Sequence, residues 1–155
     1  MEHTHEHHDD HGQHGHSPLM ASAHATFHCL IGCLIGDAIG VGLGVWLNLG
    51  VVPTIAIGVV FAYIAGFALA LIPIMKSMGL GLAAAMRVVW LGEAISIAVM
   101  EVVINAVDYS IGGVQAGSIG NPVFWIGLGA AAPAAFIAAW PVNHWLLKKE
   151  IKAHH

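Results

Sequence analysis

The residues able to do chemistry gather at the start of one apolar stretch: His24, His28, Cys29, Cys33 and Asp37. His24 and His28 are four apart, and Cys29, Cys33 and Asp37 continue at steps of four. On a helix the two sets occupy neighbouring faces about 100° apart. Polar groups of this kind are expensive in hydrocarbon unless they are paired or used. Thiolate, thioether and imidazole together suit a soft or borderline cation, Cu(I) or Zn(II). Cu(I) is content with few soft ligands, whereas Zn(II) asks for four. Such ligands deprotonate as they bind, so nearby carboxyls can exchange a proton for the cation.

A third apolar stretch carries Glu93, Met100, Glu101 and Asp108, and a fourth ends in Trp140-Pro141-Val142-Asn143-His144-Trp145. Met86, Glu93, Met100 and Glu101 fall on one helical stripe. The expected order in depth is an inner site of His24, His28, Cys29 and Cys33, with His144 at a similar level. Asp37 and Glu93 follow as a midplane step, and Glu101 with Asp108 as an exit. Arg87 serves as a structural counter-ion to Glu93 in this scheme.

The elements that must position these groups follow from composition. The chain has 155 residues, 57% hydrophobic and 9% charged, with a mean hydropathy of +0.77. Soluble domains carry about 25% charged residues. Four apolar runs, about 23–47, 54–75, 82–107 and 123–147, each reach the ~20 residues needed to cross a bilayer. The expected fold is all-α: an integral membrane four-helix bundle over 22–152, behind a disordered His-rich tail over 1–21. Seven histidines lie within the first twenty residues, among Glu2, Glu6, Asp9 and Asp10. That tract has nothing apolar to bury and reads as a weak, multi-site metal chelator, not a signal peptide. Pro53 suits the first position of the second helix. Asp108 to Pro122 forms a longer connector. A glycine seam, Gly32, Gly36, Gly40 and Gly44, lets another helix approach closely.

Cys29 and Cys33 are read as reduced thiols, because an i,i+4 helical pair rarely meets disulfide geometry. Gly40-Val-Gly42-Leu-Gly44 resembles a dinucleotide fingerprint, but no strand precedes it. No nucleophile–base pair is set by spacing, so an enzyme is not expected. No basic surface suggests nucleic acid. Lys76, Lys148, Lys149 and Lys152 fall on the side of the N-terminus, and the opposite loops have no Lys or Arg. The positive-inside rule then puts both termini in the cytoplasm, in a bacterial inner membrane. Four short helices enclose little volume, so a pore calls for a homo-oligomer.

His24-Ala-Thr-x-His28-Cys29-x-x-Gly32-Cys33-x-x-Gly36-Asp37, Met100-Glu101-x-x-x-Asn105-Ala-Val-Asp108 and Trp140-Pro141-Val142-Asn143-x-Trp145-Leu146 resemble an uncharacterised family of small bacterial four-helix membrane domains. The resemblance covers about Ser22 to Lys152. It implies an occasional association with a multicopper oxidase, and so copper handling, with no catalytic assignment. The leading expectation is binding or translocation of a soft transition metal, copper ahead of zinc, in a lipid bilayer. An oxidase or a metal chaperone is the natural partner. Two competitors remain. One is a redox subunit holding haem or quinone, with His24 or His28 opposite His144 as axial ligands. The other is a non-catalytic scaffold that offers its glycine seam to another membrane protein.

Overall fold

The computed structural model describes residues 18–153. The tail expected to be disordered lies outside the described residues as far as position 17; residues 18–21 are helical and open the first element. Four helices follow: α1 Pro18–Trp46, α2 Val51–Met78, α3 Leu82–Ile111 and α4 Pro122–Ala153. Each is long and apolar enough to cross a membrane. All four spans expected from the sequence are present, and all are longer than expected.

The extra length has local causes. Pro18 and Pro122 stand at the first position of their helices, where the missing N–H is not needed. Pro53 is the third residue of α2, not the first, and still lies in the turn whose N–H groups have no partner within the helix. Helix α3 runs a turn past position 107, so Asp108 belongs to the helix and not to the connector. It stops at Gly112, whose φ of 96° is open to glycine and strained for other residues, and whose N–H bonds back to the Asp108 carbonyl.

Helix α1 lies at the centre of the packing. Its seam runs antiparallel along α2. A Cβ on Gly32 would meet the Gly66 Cα at 2.7 Å, and one on Gly40 the Gly58 Cα at 2.7 Å. A Cβ on Gly36 would overlap the Ala62 backbone. The seam is therefore filled within the chain and is not open to a separate protein. Opposite α2, α1 meets α4 through Thr26 and Asn143 at one end and the cluster of Val41, Val45, Val114 and Phe124 at the other. Helix α3 closes the bundle, parallel to α1, with Cys29, Cys33, Ile97, Met100 and Ile104 in one buried cluster. A row of buried alanines, Ala131, Ala135 and Ala139, lets α4 come close. Large apolar side chains such as Phe27, Ile39, Ile64, Val102 and Ile137 point outward, the surface a bilayer would cover.

The helix directions put both described ends, Lys76, Arg87, Lys148 and Lys149 at one end of the bundle, called the terminal end below.

Candidate functional site

The inward stripe of α1 is Ser22, Thr26, Cys29, Cys33 and Asp37, each at most 4% exposed. These steps of four, three, four and four follow the 3.6-residue turn, so one face of the helix carries a polar side chain at every turn. From Ser22 to Asp37 the stripe rises roughly 22 Å, against a hydrocarbon thickness of ~30 Å. Helices α3 and α4 complete three polar layers around it.

The layer at the terminal end is hydrogen bonded throughout. Asn143 Nδ2 donates to Thr26 Oγ1 at 2.9 Å, and Thr26 Oγ1 donates to the Ser22 carbonyl at 2.7 Å. Trp140 Nε1 donates to Ser22 Oγ at 3.1 Å, and His144 Nδ1 lies 3.5 Å from the same oxygen.

The middle layer holds the sulfur. Ser96 Oγ donates to Cys29 Sγ at 3.5 Å. Cys33 adjoins both Cys29 and the Glu101 carboxyl. Both cysteines are free thiols, and Met100 is fully buried in the same cluster.

The third layer holds the acids. Glu101 Oε2 accepts from Asn105 Nδ2 at 3.2 Å. Asp37, Asn105 and Asp108 line a cavity of about 10 Å³ closed by Val41, Ile104, Phe124 and Leu128. A space of that size takes a single water. Asp108, the outermost acid, accepts the Val114 N–H and lies in a slot left by Gly113 and Gly127; a Cβ on either glycine would overlap its carboxyl. Both Asp37 oxygens and Glu101 Oε1 are buried without a hydrogen-bond partner. Such groups are costly in hydrocarbon, and a cation or a shared proton offsets the cost.

Of the residues singled out by sequence, the structure brings Cys29, Cys33, Asp37, Met100, Glu101 and Asp108 into one interior column. It does not bring the rest there. His24 and His28 are exposed on the outer side of α1, with rings stacked against each other. They turn away because the helical turn that points Cys29 inward points its neighbour out. His144 is half-buried between α1 and α4, so among the described residues no pair of imidazoles faces across the bundle. Glu93 lines a groove at the terminal end with Ala25, Val88, Val89, Gly92 and Asn143. The acids that neighbour Asp37 are Glu101 and Asp108, not Glu93. Glu93 lies two turns of α3 too far toward the terminal end to form the midplane step. Arg87 is exposed.

Among the described residues, no three His, Cys, Asp or Glu side chains converge as a metal-binding group. Thr26, Ser96 and Asn143 belong to the column and were not anticipated from sequence. Thr26 had a signal, the continuation of the Cys29–Cys33–Asp37 stripe back to Thr26 and Ser22 at the same helical period; Ser96 and Asn143, on α3 and α4, had none.

A family model described as a domain of unknown function (DUF4396) matches residues 20–152, most of the chain. The chain belongs to that family, in keeping with the resemblance carried by its motifs. No curated protein matches, and no solved structure matches.

Proposed function

Proceeding from that membership, which brings no activity with it, we propose that this protein binds a soft transition-metal ion within the membrane and passes it across, copper ahead of zinc. The observation that carries the reading is the column itself: two free thiols in one buried cluster with a thioether, continued by Glu101, Asp37 and Asp108. Cys29, Cys33 and Met100 supply up to three sulfur ligands, enough for low-coordinate Cu(I). Zn(II) would ask for a fourth ligand, which the Glu101 carboxyl beside Cys33 would have to supply. The carboxyls beyond the thiols provide the next resting points for a cation and take up the protons that the thiols release. The ion moves between the terminal end and the connector that covers Asp108.

The positive residues at the terminal end favour both termini in the cytoplasm of a bacterial cell, with the chain in the inner membrane. A fluorescent protein fused to the C-terminus should then be bright and an alkaline phosphatase fusion inactive; the reverse pattern would invert the topology.

Flux tests the function. Vesicles containing the purified protein should accumulate Cu(I), and Cys29→Ser/Cys33→Ser should bring uptake to the protein-free background. Uptake that persists in the double variant would overturn the reading.

A further inference from the structure

We propose that His24 and His28 form a second cation site, on the outer surface of α1 and separate from the thiols. The two imidazoles stand one turn apart with ring centroids at 5.1 Å and planes 28° from parallel. Two metal–nitrogen bonds of about 2 Å each span ~4 Å, so the two exposed side chains would rotate out of the stack to turn one nitrogen of each ring toward the same ion. Met20 lies one turn earlier on the same face and lines an open groove with Ala21, His24 and Ala25. A thioether beside two imidazoles favours a soft or borderline cation.

Depth along α1 also favours a bound cation at this pair. Ser22 is held by Trp140, a residue type at home in the membrane interface. His28 lies six residues further along α1, roughly 9 Å deeper. Outward-facing imidazole nitrogens at that level lose water and need a partner. Phe27 beside it is 53% exposed, so this face of the helix meets its surroundings directly.

The position also suits a receiving site. Seven histidines lie between positions 3 and 16, and α1 starts at Pro18, less than two turns before His24. A cation gathered by that sequence reaches His24 and His28 before it reaches the buried sulfur. Cys29 follows His28 directly in the chain but faces the interior, so passage inward needs one ligand exchange around the helix. The inference rests on the soft-metal reading for the identity of the ion, but the imidazole pair needs no thiol to bind.

The test uses the full chain with its seven tail histidines, and His154 and His155, replaced by asparagine, in detergent. Cu(I) is supplied as its bicinchoninate complex, and stoichiometry is read by metal analysis and X-ray absorption. The parent should hold two Cu(I), one among sulfur ligands and one among nitrogen ligands. His24→Asn/His28→Asn should lose one equivalent and the nitrogen signal, with helical content unchanged because both side chains are exposed. Two equivalents retained by that variant would overturn the inference. Cys29→Ser/Cys33→Ser should lose the sulfur-bound equivalent alone; if it keeps both, the thiol reading fails while the imidazole site stands.

Discussion

Ser96 offers a test in which the expected effect can be worked from one hydrogen bond. Ser96 is 2% exposed, and its hydroxyl donates to Cys29 Sγ at 3.5 Å. With a protonated thiol as acceptor the bond is weak. With a metal-bound thiolate it is charge-assisted, a class worth about 1.5–3 kcal/mol net. The length argues for the lower end, about 1.5 kcal/mol, which corresponds to roughly tenfold in affinity. Ser96→Ala removes one atom and introduces no clash, so the fold without metal should be little changed. Competitive Cu(I) titration of the tail-substituted chain should show about tenfold weaker binding at the sulfur site. Outer-shell partners of metal ligands commonly carry effects of ~10–100-fold, so the value is of the expected size. An affinity unchanged in Ser96→Ala, measured alongside an intact melting profile, would refute the idea that Cys29 becomes a metal-bound thiolate.

Other predictions address the rest of the column. Asp37→Asn combined with Glu101→Gln should keep copper stoichiometry, since the sulfur ligands remain, while vesicle uptake falls to background; uptake at the parent rate would remove the acids from the path. Metal and proton compete for sulfur, so apparent Cu(I) affinity should fall as pH falls, by about tenfold per pH unit for each proton released. A flat profile from titrations at several pH values would mean that no thiol proton is displaced. Gly36→Leu should separate α1 from α2, because even a Cβ overlaps the Ala62 backbone; a cost at the upper end of ~1–3 kcal/mol or beyond is expected in SDS unfolding. Unchanged stability would contradict the close contact along the seam.

The fold was largely legible because it depends on hydropathy, length and glycine spacing, all local in the chain. Four apolar runs, with Gly32, Gly36, Gly40 and Gly44 on one face, leave few arrangements other than a close antiparallel pair. The site was legible only in part. Cys33 and Asp37 announced themselves as polar residues at helical spacing in a greasy run. Which face of α1 turns inward depends on α2, α3 and α4 together, and residue type alone cannot decide it. Hence residue type puts His28 inside with its neighbour Cys29, and the packing turns it outside. Glu93 and Glu101 share a stripe of α3, and depth alone separates them. The register of α3 against α1, fixed by Ser96 at Cys29 and Glu101 at Cys33, makes Glu101 the partner of the thiols. Ser96 is silent in the sequence, because small hydroxyls are common in membrane helices and gain meaning only from what they touch.

The most direct test is the ligand environment of one equivalent of Cu(I) in the chain lacking both the tail histidines and the His24/His28 pair. X-ray absorption should then show sulfur ligands alone, two or three of them, and Met100→Leu should reduce the number where three are found. A spectrum made of nitrogen and oxygen ligands, or no retained copper, would contradict the claim that the buried thiols hold the ion.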